Sequence, residues 1–180
     1  NIQFLKKISQ NYKFNIHEIK GKKINKNEDS IISSTLIRNF LLNGNVKTAN
    51  IMLDRFYSLK GIVIKGNAIG RSIKFPTINV SPLDKNQIIP FRGVYFVQLN
   101  IENKKYLGMC NIGIRPTLIN SEEETIEIHI FGVRIDSDFY NKEVKVFFIE
   151  YIRNEKKFKN KDFLVKQLEK DKQTCLSIKI

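Results

Sequence analysis

Between residues 57 and 152 the apolar pattern of this chain has a period of two. The runs YSLKGIVI, GVYFVQLNI, KKYLGMCNIG, TIEIHIFG and EVKVFFIEYI are separated by glycine, proline, asparagine and aspartate. Successive side chains of a strand point to opposite faces, so such a pattern cannot pack as helix. Short strands at this spacing, with no helical run between them, predict a mainly β fold, an antiparallel barrel or sandwich.

The ends of the chain obey a different rule. FLKKI carries Phe4, Leu5 and Ile8 at helical spacing, FNIHEI alternates briefly like a strand, and GKKINKNEDS is a polar loop. In SSTLIRNFLLNGN, Ser33 or Ser34 can cap a helix built on Leu36, Ile37, Phe40 and Leu41, and Asn43-Gly44 ends it. VKTANIMLDR follows as a second helix. At the other end, NKDFLVKQLEKDKQTCL returns to helical spacing through Phe163, Leu164 and Leu168, with Asn160 as cap. A boundary near residue 56 follows: residues 1–55 are mainly helical, and residues 56–180 are a β-barrel with a terminal helix. The first residue is Asn1 rather than Met, which reads as a piece of something longer.

Composition narrows the functional classes. With 42% hydrophobic and 27% charged residues the chain is of the soluble globular type, without a bilayer-length apolar run or a leader-like segment. Cys110 and Cys175 stand far apart with no CxxC, and two histidines are too few for an ordinary Cys/His zinc site; a reducing, cytoplasmic setting fits. The formal charge is +13, which suits an anionic ligand. Yet 24 of the 31 basic residues are lysine, alongside abundant Asn and Ile, so codon drift over a solvated surface accounts for the charge as well.

One loop carries more chemistry than its neighbours. In GNAIGRSIKFPTIN, Gly66 and Gly70 are expected to allow positive φ and bring backbone N–H groups against an anion, or else to form a loose turn. Beyond Pro76 the chain is extended, so Thr77 and Asn79 project to one side and Ile78 to the other. A hydroxyl and an amide oxygen side by side are neutral ligands for a Mg²⁺ that already carries nucleotide phosphates; their alternative use is to satisfy turn hydrogen bonds. In TIEIHIFG the apolar face is Ile126, Ile128 and Ile130, and the other is Thr125, Glu127 and His129. If that second face borders a pocket, Glu127 is placed to take a proton from a hydroxyl; otherwise it is a solvated carboxylate. His129 reads as a packed or exposed partner, not a catalyst.

The ordered set GNAIGRSIKFPTIN, RGVYFV, NIGIRPTL, IEIHIF and FLVKQLEKD resembles the riboflavin kinases. Upstream, ISSTLIRNFLLNGNVKTANIMLDRFYSLKG is similar to the junction of bacterial bifunctional riboflavin kinase/FMN adenylyltransferases (FAD synthetases), where ISSTxIR closes the adenylyltransferase domain. Ala68 and Lys74 depart from the pattern, standing where the family usually has glycine. The resemblance implies a six-stranded Greek-key barrel with a C-terminal helix, preceded in residues 1–55 by the end of an α/β nucleotidyltransferase domain. It implies the reaction of ATP with riboflavin to give FMN and ADP, with Mg²⁺ accompanying ATP. By the same resemblance the loop with Gly66, Gly70 and Arg71 wraps the ATP phosphates, Thr77 and Asn79 hold the Mg²⁺, and Glu127 is the base. The NIGIRPTL loop, with Asn111, Gly113, Arg115, Pro116 and Thr117, flanks the flavin together with the C-terminal helix.

An adenylyltransferase of this kind needs an HxGH motif, and the two histidines here, His17 and His129, lie in NIHEI and EIHIF. The expectation is therefore a chain that makes FMN but not FAD, cut from a parent that does both, with no nucleic-acid or membrane partner. Two rivals remain. A basic β-barrel that binds RNA is favoured by the charge and thirteen Phe, and opposed by aromatics spread along strands as core positions. A catalytically silent barrel that scaffolds a partner is the other.

Overall fold

The computed structural model describes residues 2–19, 21–23, 31–66, 70, 73–116, 122–135 and 137–180. They fall into two compact units, Asn1–Ser33 and Ser34–Ile180.

In the first unit the chain forms α1 (Ile2–Tyr12), none of whose residues is buried. Lys6 pairs with Glu18 at 3.6 Å, and an isolated antiparallel bridge joins Lys23 to Ile31. The expected strand at FNIHEI is not there: residues 14–19 lie outside helix and strand. Alternation over six residues gives a strand only where a partner supplies the ladder, and none of the described residues pairs with it.

The second unit opens with α2 (Ser34–Leu42) and α3 (Val46–Leu53). Gly44 joins them at φ 77°, the left-handed conformation that glycine adopts without cost, and the Asn45 side chain caps α3 by accepting from Thr48 N at 3.2 Å. Six strands follow: β1 (Tyr57–Ile64), β2 (Ile78–Pro82), β3 (Gly93–Ile101), β4 (Lys104–Pro116), β5 (Glu122–Ile130) and β6 (Glu143–Arg153). The last element is α4 (Lys161–Ser177), capped by Asn160, whose side chain accepts from Phe163 N. The strands close into a barrel in the order β1-β2-β5-β4-β3-β6, every neighbouring pair antiparallel.

Alternation sorts the side chains into two cores. Inside the barrel Leu59, Val63, Ile78, Tyr95, Ile128 and Phe148 are completely buried, and the helices add Leu41, Val46 and Ala49 to the same cluster. Asn50 of α3 fastens this arrangement, donating from Nδ2 to Phe148 O at 2.9 Å and accepting from Tyr57 N at 2.7 Å. Structurally, then, α2 and α3 pack with the barrel, and the compact units divide between Ser33 and Ser34. Outside the barrel a second cluster of Phe75, Val94, Phe96, Met109, Ile149 and Cys175 lies against α4 through Val165 and Leu168.

Candidate active site

The strand registers create a polar row on the outer wall. Asn79 of β2 is directly opposite Glu127 of β5, Glu127 is opposite Asn111 of β4, Asn111 is opposite Val94 of β3, and Val94 is opposite Arg153 of β6. Opposed residues on one face have Cβ atoms about 4.5–5.5 Å apart. Four residues distant in the chain thereby become neighbours of Glu127 or of one another. The next row, Ile78 with Ile128, turns inward to the core.

A cleft of about 360 Å³ stands over this wall, bounded by Gly70, Phe75 and Thr77 on one side and by Glu155, Phe158 and Leu164 on the other. Asn111, Glu127, His129 and Arg153 also line it. Of the sequence candidates, the structure brings Gly70, Thr77, Asn111 and Glu127 to this cleft. Asn79 is buried next to it, 7% exposed. Gly113 is buried under Glu155. Arg115 and Pro116 are described only as backbone of β4, opposite Glu123 and Glu122. Arg71 and Thr117 lie outside the described residues.

The two loop glycines do not take the positive φ expected of them. Neither Gly66 nor Gly70 has positive φ. What requires glycine is close approach: a Cβ at Gly66 would stand 1.9 Å from Asn79 Nδ2, and one at Gly70 would stand 2.1 Å from Phe75 O. Among the described residues of this loop the positive φ belongs to Lys74, at 63°, where the chain turns so that Phe75 N reaches Gly70 O at 2.9 Å. The Gly66 backbone therefore lies against the Asn79 amide, and any larger residue would displace that side chain.

His129 fastens the next residues. Its Nδ1–H donates to Pro76 O at 2.9 Å, and its ring packs on Phe75 with centroids 4.9 Å apart. Burial lowers its pKa below 6.5, only partly opposed by the Pro76 hydrogen bond, so the ring is neutral at pH 7. It is a support for Pro76 and Thr77, as its sequence context suggested. Behind Glu127, burial and the carboxylate charge push the Cys110 thiol far up, and burial holds Cys175 at about 12, so neither sulfur is a nucleophile at neutral pH.

Sequence reasoning missed two parts of the site. Arg153 and Asp171 form a buried pair at 2.7 Å, with side chains 14% and 2% exposed. Arg153 Nε also donates to Asp171, and Gln167 donates to the same carboxylate at 2.7 Å. This network fixes α4 to the end of β6. A signal existed: Asp171 continues the stripe of Leu164 and Leu168 that ends at Cys175, and a carboxylate on a buried stripe needs a cation. The other omission is Glu155, whose carboxylate accepts from Asn111 Nδ2 at 3.4 Å.

Thr77 and Asn79 supply two neutral oxygens, too few for a protein-only Mg²⁺ cage but suited to an ion that keeps waters and brings phosphate ligands. Among the described residues no group of three or more His, Cys, Asp and Glu could hold a metal by itself. The close seat of Asn79 under Gly66 brings that amide beside the loop expected to carry phosphate. The donor set thus fits a metal delivered with a nucleotide.

Comparison with known proteins decides the family. The riboflavin kinase family, Flavokinase, matches residues 53–179. This chain belongs to it. The bifunctional riboflavin kinase/FMN adenylyltransferase of Bacillus subtilis is 40% identical over 151 residues, covering 83% of this chain and 47% of the relative. That of Buchnera aphidicola from Schizaphis graminum is 41% identical over 174 residues, covering 95% and 54%. A crystal structure of a protein from Streptococcus pneumoniae, described as a macrolide-efflux protein, superposes with a TM-score of 0.78 at 37% identity, over 85% of this chain and 49% of that one. The chain spans about half the length of the curated relatives it matches. The family match covers all six strands and α4, and with them every residue of the polar row.

Proposed function

We propose that this chain is the riboflavin kinase part of such an enzyme, transferring the γ-phosphoryl group of ATP to the terminal ribityl hydroxyl of riboflavin to give FMN and ADP. The observation that carries this reading is the row Asn79–Glu127–Asn111, aligned by strand register on the wall of a cleft in a chain of this family. Phosphoryl transfer needs mainly positioning and neutralisation of charge, and little covalent chemistry from the protein.

Each part of the row then has a task. The loop 66–71 lies along the phosphates, with Gly70 N–H and its neighbours as donors to oxygen. Thr77 and Asn79 give neutral oxygens to the Mg²⁺ that comes with ATP. Bound there, that ion offsets the negative charge on the phosphates. Glu127 accepts the proton of the ribityl hydroxyl as its oxygen attacks phosphorus. On the far side of Glu127, Asn111 and the underside of α4 receive the flavin. Closure of this side depends on the Arg153–Asp171 pair, because α4 is one wall of the cleft.

For the remaining part of a full-length protein we propose FMN adenylylation, the second activity in the names of the relatives, with residues 1–55 derived from the end of that domain. No helix among the described residues is long and apolar enough to cross a membrane. The surface charge alone would suit an RNA-binding barrel equally; the family match is what favours the kinase. The test is direct. Riboflavin, ATP and Mg²⁺ are incubated with the purified chain and the flavins separated by chromatography, with FMN and ATP supplied in a parallel run. FMN in the first run and no FAD in the second is the expected result; no FMN in the first overturns the kinase reading.

A further inference from the structure

Among the described residues, one carboxylate besides Glu127 lines the cleft, that of Glu155. It sits in residues 154–160, the stretch that leaves β6 and enters α4. Both ends of the stretch are anchored: Arg153 is held by Asp171, and Asn160 caps the helix by accepting from Phe163 N at 3.1 Å. From between these anchors the Glu155 side chain reaches across the cleft to β4. Its Oε1 accepts from Asn111 Nδ2 at 3.4 Å and rests so near Gly113 that a Cβ there would lie 2.3 Å from it. Glycine at 113 is therefore what gives this carboxylate its seat.

An amide has a donating end and an accepting end, and a carboxylate only accepts. Glu155 consequently binds the NH₂ end of Asn111 and turns the carbonyl end away. On the other side of Asn111 in the same row stands Glu127, opposite it across the β4–β5 ladder. With its NH₂ end held by Glu155, Asn111 keeps its carbonyl oxygen for a donor in the cleft, in the row that holds the proposed base. What approaches there must donate a hydrogen bond, and along a flavin only the polyol chain offers several hydroxyl donors beside a hydroxyl to be phosphorylated.

We propose that Glu155 is a positioning and specificity residue for the flavin substrate: by holding the Asn111 amide, it presents the Asn111 carbonyl oxygen to a hydroxyl of the polyol chain. This rests on the kinase reading above. Selection follows from it, because a flavin without the polyol chain has no hydroxyl to donate at that place and gains nothing from the oriented amide. A glutamine at 155 retains a carbonyl acceptor and can still orient Asn111, whereas alanine leaves the amide free to turn.

The experiment uses flavin fluorescence. Riboflavin and lumiflavin, which has a methyl group in place of the polyol chain, are titrated into the purified chain with ADP and Mg²⁺, for wild type, Glu155→Ala, Glu155→Gln and Gly113→Ala. Glu155→Ala is expected to weaken riboflavin about ten-fold, the size of one well-placed hydrogen bond, with lumiflavin affinity and Tm unchanged. Gly113→Ala should give the same selective loss by unseating the carboxylate, and Glu155→Gln should restore most of it. Unchanged riboflavin affinity in Glu155→Ala, or an equal loss for lumiflavin, overturns the proposal. Turnover is measured separately: a wild type that never phosphorylates riboflavin defeats the kinase reading, whereas a wild type that phosphorylates it while Glu155→Ala keeps full riboflavin affinity defeats this inference alone.

Discussion

Ile128 and Glu127 are consecutive in β5, yet they belong to different chemistries. Ile128 is fully buried in a barrel interior of aliphatic and aromatic side chains, where close packing is the only requirement. On the outer wall and on α4 the buried groups include Asn79, His129 and Asp171, 7%, 9% and 2% exposed. A buried polar group is stable only with its partner, so the outer wall depends on particular pairs where the interior depends on volume. The inner face thus tolerates conservative repacking, and the outer face does not. The proposed site sits on the less tolerant side because oriented oxygens and a carboxylate cannot be kept inside an apolar barrel.

The sharpest division between the two faces is expected in β5 itself. Glu127→Gln keeps the shape of the outer wall and removes the base, and should lower kcat by about 10²- to 10⁴-fold with ADP binding and Tm intact. Near-wild-type turnover would take Glu127 out of the mechanism. Next in size come two destabilising changes of different character. Ile128→Ala should cost about 2–5 kcal/mol, read as a lowered Tm of the whole barrel. Asp171→Ala should cost about 3–5 kcal/mol by leaving Arg153 buried without its partner. Hydrogen exchange separates them: the second should expose the amides of α4 while β1–β6 stay protected. Equal loss of protection throughout would mean that helix and barrel unfold as one.

Asn79→Ala tests the proposed metal-binding side of the same wall. The Mg²⁺ concentration for half-maximal activity should rise at least about ten-fold, with ADP-Mg²⁺ binding weakened more than metal-free ADP binding. Equal weakening of both would leave Asn79 with a structural role. A smaller effect attaches to His129. Its folded pKa lies below the unfolded 6.5 because of burial, so its contribution is fully present above pH 6.5. As pH falls from there towards the folded pKa, the unfolded chain takes up a proton that the folded chain refuses, and stability drops. Tm measured from pH 7.5 to 5 should show an acid limb that is shallower in His129→Gln; parallel curves would refute the assignment. The smallest change expected is a gain: Lys74 is at φ 63°, and Lys74→Gly should raise stability by roughly 0.5–1 kcal/mol.

The strands were legible because their evidence is local. YSLKGIVI and GVYFVQLNI coincide with β1 and β3, and Asn160 caps α4 as its side chain and position imply. Ile126, Ile128 and Ile130 fall on the buried face, and the alternation that puts them there also puts Glu127 opposite. What was not legible lies in contacts that no local pattern encodes. FNIHEI alternates but pairs with no strand among the described residues, and only the fold shows Leu41, Val46 and Ala49 of α2 and α3 packed in the barrel core.

Period and capping are properties of neighbouring residues, and so the sequence by itself determined the class of fold, the inward face of each strand and the residue types available for chemistry. Tertiary structure decided which of them meet. Register brought Asn79, Glu127 and Asn111 into one row, the closure of α4 paired Arg153 with Asp171, and the return of residues 154–160 laid Glu155 over Gly113. Gly66 makes the distinction plain: its missing side chain is visible in the sequence, but the need for it is set by Asn79, a residue that only the folded chain carries to its side.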